Sequence, residues 1–183
     1  MFKKQSRGRS LHAMLLRVTH LTFALAGESD AAAVAALRAA TAVALTARFG
    51  RGHWSGEATE HGVVAGMRRS KVWMARLDDA IVATFRMSTT KPWAIDRTMF
   101  APSGNPLYLT DMAVLPELQR TGIGGRCLAM ALQYAAEWPA DAIRLDAYDA
   151  SAGAGAFYER CGFREVGRAT FHGVPLVYYE RVI

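Results

Sequence analysis

The sequence predicts a single α+β domain in which one central sheet is layered between helices (α/β/α). Three observations carry that prediction. Two pairs of apolar-alternating runs are joined by short polar turns, at Asp78-Asp79 and at His172-Gly173, the signature of antiparallel hairpins. Between them, residues 107–138 read as a strand, a glycine-rich turn and a long helix that Pro139 closes. At 183 residues the chain suits one domain with a proper core.

In chain order, Lys3, Lys4, Arg7 and Arg9 make residues 1–10 a basic, flexible tail, and residues 11–183 form the domain. His12, Arg17 and His20 interrupt Leu11–Leu25, so it lacks the apolar core of a secretory signal. Leu15–Ala26 is the expected first strand. Ser29 or Asp30 caps a helix whose Val34, Leu37 and Leu45 share a face with Thr41 between them, and Gly50 ends it. Arg38 sits near the middle of its alanine-rich run, which opposes membrane insertion by roughly 2.5–3.5 kcal/mol. A second helix is expected within Arg51–Ser70. Strands follow at Lys71–Leu77 and Ala80–Ser88, then a proline-bearing loop over Thr89–Pro106. A strand over 107–114 stops at Pro116, which lacks a ladder donor. After the long helix come a strand at Ile143–Tyr148, a helix at Ser151–Arg160 that Gly153 and Gly155 weaken, and closing strands at Phe163–Thr170 and Leu176–Val182. The order is β-α-(α)-β-β-β-α-β-α-β-β.

The chemistry concentrates at Gln119-Arg120-Thr121-Gly122-Ile123-Gly124-Gly125, where a helix opens. Unpaired N–H groups and the positive end of a helix dipole favour an anion there, and glycines let it approach bare backbone. Arg120 and Arg126 flank the turn and add charge-assisted donors. A dinucleotide fingerprint beginning at Gly122 needs glycine where Cys127 stands, and no P-loop run occurs. A net charge of +6 suits an anionic ligand, while nothing beyond charge points to nucleic acid. No His/Cys cluster has metal spacing, so no metal is expected. The two cysteines, Cys127 and Cys161, read as buried free thiols.

Gln-Arg-x-Gly-x-Gly-Gly after the strand pattern Asp-Met-Ala-Val resembles the acetyl-CoA signature R/Q-x-x-G-x-G/A of the GNAT superfamily of N-acetyltransferases. The block Phe157-Tyr158-Glu159-Arg160-Cys161-Gly162-Phe163 is similar to that family's FYE-x-x-GF element. Together they span residues 107–168. The resemblance implies a mixed, mostly antiparallel sheet with helices on both faces, whose fourth and fifth strands splay apart. It implies that acetyl-CoA lies in the splay, its pantetheine on the backbone of Met112, Ala113 and Val114 and its pyrophosphate on the turn from Gln119 through Thr121, Gly122, Ile123, Gly124 and Gly125 to Arg126. An acceptor amine then attacks the thioester directly, a backbone N–H near Met112 stabilises the oxyanion, and Tyr158 protonates the departing thiolate.

Asp111 is the leading candidate to take the amine proton, with Asp146 and Asp149 behind it. Many members carry an asparagine seven residues before the tyrosine to hold the cofactor; here it is Ser151, with shorter reach. His53, Trp54, His61, Trp93 and Tyr108 are candidates for acceptor recognition. The expected partner is a small-molecule or peptide amine, with no membrane, a homodimer left open, and a cytoplasmic setting. A non-catalytic acyl-CoA sensor of the same fold is the alternative, and a nucleic-acid binder resting on charge alone is the least favoured.

Overall fold

The computed structural model describes residues 20–183. The basic tail and Leu15–Thr19 of the expected first strand lie outside the described residues. β1 comprises Thr22–Leu25. A short 3-10 turn at Glu28–Asp30 leads into α1, Ala31–Phe49, and α2 spans Glu60–Met67. Asp30 does precede α1, but its carboxylate does not cap the helix. It accepts from Gly27 N (3.0 Å) and pairs with Arg76 of β2 (2.7 Å), tying the helix start to the sheet. β2 (Lys71–Leu77) and β3 (Ala80–Ser88) form the expected hairpin.

β4 (Pro106–Val114), α3 (Ile123–Glu137) and β5 (Ala142–Tyr148) follow as the sequence pattern predicts. The helix expected over Ser151–Arg160 is shorter: α4 is Gly155–Arg160. Gly153 explains the loss. A Cβ there would lie 1.9 Å from the carbonyl oxygen of Tyr148, so residues 150–153 fold back as a tight turn, closed by Gly153 N donating to Ala150 O at 2.8 Å. β6 (Arg164–Phe171) and β7 (Val174–Val182) close the chain. Their turn places His172 and Gly173 both at positive φ (47° and 80°), as a type I′ hairpin requires.

The seven strands form one sheet in the order β1-β2-β3-β4-β5-β7-β6. All pairings are antiparallel except β4 with β5. Successive residues of β2 show its two faces: Trp73 joins the cluster built on Ile123, Cys127 and Leu128 of α3, whereas Val72 joins Val34, Ala35 and Val63 of α1 and α2. Helices therefore cover both faces. By length and composition Glu28–Phe49 is apolar enough to cross a membrane, yet it buries Ala31, Val34, Ala35 and Leu37 within the fold. A third cluster gathers Ile95, Phe100, Tyr108, Leu176 and Tyr178. Beside it, Arg144 and Glu180 form a buried ion pair across β5 and β7 (2.9 Å), with the guanidinium over the Phe100 ring.

The feature that positions the site is the brevity of the β4–β5 ladder. It contains only Pro106↔Ala142, Leu107↔Ile143 and Tyr108↔Arg144. Beyond Tyr108, β4 stays paired with β3 as far as Val114, and β5 stays paired with β7 as far as Tyr148. The sheet opens between them.

Candidate functional site: the opening between β4 and β5

A cleft of about 640 Å³ occupies this opening. Leu109–Ala113 of β4, Asp146–Tyr148 of β5 and Tyr158 of α4 line it from the sheet side. Arg38 and Thr41 of α1, His53 and Trp54 beyond α1, Arg86 of β3, Trp93 and Phe171 complete the walls. Val114's carbonyl accepts from Gln119 Nε2 at 3.2 Å, while the following Leu115 N donates to Val82 O of β3 at 2.9 Å. Since the C=O and N–H of one trans peptide point in opposite directions, the Val114 carbonyl faces away from β3.

From the end of β4 the chain passes through the turn to α3. Thr121 Oγ1 donates to Leu118 O (2.6 Å), and Arg120 and Gly122 both adopt left-handed conformations (φ 64° and 94°). Arg126 N makes the first intrahelical bond, to Gly122 O at 3.2 Å, so the preceding amides of Ile123, Gly124 and Gly125 have no acceptor within the helix. The side chain of Ile123 is buried and anchors this turn. The glycines divide by role. A Cβ on Gly124 would lie 3.2 Å from Phe157 Cζ, so Gly124 serves the packing of α3 against α4. Gly122 serves the backbone conformation. A Cβ on Gly125 would meet nothing within 4 Å; its bareness answers to no neighbour among the described residues. Arg120 is exposed beside the turn. Arg126 turns one guanidinium nitrogen to Leu21 O (3.2 Å), before β1.

Tyr158 lies at the base of the cleft, 8% exposed, with its hydroxyl 4.0 Å from Met112 Sδ. Burial, then the charges of Asp146 and Cys161, push its phenol well above the usual range, so it stays protonated. Cys127 is buried in α3, where burial pushes its thiol up to about 12, which leaves it inert as a nucleophile.

The two acids on the facing strands differ. Asp111 sits at a bulge in the β3–β4 ladder, at φ 53°, a left-handed conformation that aspartate tolerates. Its Oδ2 faces two guanidiniums, Arg38 Nη1 at 3.4 Å and Arg86 Nε at 3.2 Å. Arg86 Nε also donates to Thr110 Oγ1 (2.9 Å). Asp146, across the opening, has no ion-pair partner among the described residues. Burial pushes its carboxyl upward, and the charge of Asp111 adds to that push. Asp149 is held by Arg168 at 2.8 Å.

The structure thus brings Asp111, Met112, Ala113, Asp146, Tyr158, His53, Trp54 and Trp93 to one cleft. Ser151 is exposed in the tight turn; its neighbours Ala152 and Ala154 line the cleft instead. His61 is exposed on α2, away from the cleft lining, and Tyr108 is 1% exposed in the core. Arg38, Glu57, Arg86 and Tyr148 are among the cleft residues that the sequence pattern did not single out as site candidates. Arg38 had a visible signal, a lone charge on a long apolar helix.

No curated protein matches the sequence significantly. Solved structures share the fold. An acetyltransferase of the GNAT family from Listeria monocytogenes superposes with a TM-score of 0.70 at 18% identity, covering 89% of this chain and 95% of that one. The ribosomal-protein-S18-alanine N-acetyltransferase of Escherichia coli gives 0.67 at 15% identity, over 89% and 94%. A Bacillus subtilis acetyltransferase in complex with CoA gives 0.62 at 16% identity, over 89% and 99%. The family model described as the acetyltransferase (GNAT) family matches residues 36–163, a span that contains α3, the opened strands and Tyr158. The chain belongs to the acetyltransferase (GNAT) family.

Proposed function

We propose that this chain is an acetyl-CoA-dependent N-acetyltransferase, in which a primary amine attacks the thioester directly in a ternary complex. The observation that carries the reading is the opened sheet. The cleft follows β4 from Leu109 to Ala113, facing Asp146 and Tyr158, and the chain leads from the end of that strand into the bare first turn of α3. Its residues fit the donor. The amides of Ile123–Gly125, the open face of Gly125 and exposed Arg120 suit a pyrophosphate. Met112–Val114 have no β5 partner, and the N–H groups on the side of β4 away from β3 suit an extended arm.

Acetyl-CoA, when bound, supplies the activated acyl group. The remaining work falls to the protein. Asp146 takes the amine proton, directly or through one water; it faces the cleft without a competing cation, whereas Asp111 is shared by two guanidiniums. A backbone N–H near Met112 donates to the negative charge that develops on the carbonyl oxygen. Tyr158, kept protonated by burial, donates to the departing thiolate. Reduced Cys127 and Cys161 accord with a cytoplasmic setting.

Calorimetric titration with acetyl-CoA, with thiol release followed across an amine panel, tests the reading. Saturable binding and turnover of at least one amine is the expected result. Absence of acetyl-CoA binding overturns it, and binding without turnover of any amine supports a sensor of the same fold.

A further inference from the structure

The acceptor side of the cleft carries an electrostatic pattern that narrows the acceptor. Arg38 reaches the cleft from α1, with its side chain only 17% exposed. Nη1 faces Asp111, but Nε and Nη2 are buried without a hydrogen-bond partner among the described residues. Those two nitrogens form the side-on edge of the guanidinium, which grips both oxygens of a carboxylate. Buried donors without partners are costly, and burial also works against the charge on this arginine. Arg86 shares the same Asp111 oxygen, so this wall holds two cations against one anion. The opposite wall holds Asp146, and Glu57 lines the cleft beyond α1; neither acid has an ion-pair partner among the described residues.

We infer that the acceptor is an amino carboxylate, a molecule that presents a primary amine to Asp146 and a carboxylate to the side-on edge of Arg38. This rests on the N-acetyltransferase reading of the same cleft. A bare ammonium meets net repulsion from the Arg38–Arg86 wall; a carboxylate on the same molecule reverses the sign. Nε and Nη2 lie beneath the surface, so the two-pronged grip requires Arg38 to turn its edge toward the cleft. Trp54 packs edge-on to Tyr148 at 6.0 Å beside this wall and offers an aromatic surface to the acceptor's side chain.

The test is thiol release from acetyl-CoA with matched acceptors: free amino acids, phenylalanine among them, the corresponding carboxamides and decarboxylated amines, and short peptides with acidic or neutral first residues. The expected result is a kcat/KM at least about tenfold higher with the carboxylate than with its carboxamide, a difference of about 1.4 kcal/mol. Arg38→Gln should bring that ratio toward one, mainly by raising KM for the carboxylated acceptor. Arg38→Lys, which keeps the charge and loses the two-pronged edge, should fall between. Acetyl-CoA titration and thermal unfolding report whether each variant is folded; if Arg38→Gln is not, the wild-type ratio and Arg38→Lys decide. Free amino acids and acidic peptides are separated by which of them is turned over.

Equal rates for carboxylate and carboxamide overturn the inference, as does an unchanged ratio in a folded Arg38 variant. Failure of every carboxylated acceptor, with acetyl-CoA still bound, overturns the inference alone. Failure to bind acetyl-CoA overturns the reading beneath it as well.

Discussion

The two halves of the proposed site are built by different means. The proposed donor half uses one continuous run, from β4 through the turn into α3, and relies mostly on backbone: the first amides of the helix, the strand side without a β5 partner and a bare Gly125. The proposed acceptor half is assembled from α1, the segment after it, β3, β5 and the β6–β7 hairpin, and relies on side chains. Backbone recognition tolerates many sequences but needs a fixed local conformation, so it leaves a compact motif. Side-chain recognition needs only that distant residues meet, so it leaves none.

Substitutions can break or sharpen this contrast. The largest effect is expected at the junction of the two halves. Asp146→Asn should lower kcat by about 10²–10⁴, the range for general-base catalysis. Its carboxyl is raised above the ordinary carboxylate value, so the folded protein binds that proton more tightly than the unfolded chain does. The wild-type kcat/KM should therefore fall as pH drops through this raised value. The associated stability cost sets in as pH rises through the same window, from the ordinary value upward. The Asn variant should lose that limb of the pH profile and be no less stable at neutral pH. A variant with unchanged rate would remove Asp146 as the base and return the role to Asp111.

Next comes Tyr158→Phe. It should cost about 10² in kcat, the low end for general-acid catalysis, with acetyl-CoA affinity kept. An unchanged rate would leave the tyrosine a packing role. Gly125→Ala tests the donor half alone. No atom of the described residues obstructs the new methyl, so stability should rise by up to about 1 kcal/mol in this helix. Acetyl-CoA affinity should fall about tenfold, read by calorimetry. A gain in stability without loss of affinity would mean that no ligand approaches this glycine. The smallest effect is expected at the acceptor rim. Trp93 is 89% exposed, so Trp93→Ala should shift stability by no more than about 0.5 kcal/mol. KM for the acceptor should rise about threefold, with donor affinity unchanged.

The same contrast explains what the sequence could disclose. The hairpin at Asp78-Asp79, the turn at Gly122 and the helix after it are local events, and periodicity and glycine placement reveal them. The start of α4 is not local. Gly153 looks like a weak residue within a helix, and only its approach to the Tyr148 carbonyl shows that it forbids one there. The pairing of Arg38 with Asp111 joins residues on α1 and β4, and nothing in either segment announces the other. Asp111 and Asp146 look alike as strand acids. Their difference lies in which guanidiniums reach them, a property of the assembled cleft.

The three-pair ladder between β4 and β5 has one more consequence. A sheet that opens in its middle carries two interior edges as well as its two outer ones, and exposed edges invite pairing with a neighbouring chain. β4 blunts its interior edge by the left-handed kink at Asp111 and by the charges gathered there. The residue that interrupts this strand should therefore also make its open edge a poor template for a neighbouring chain.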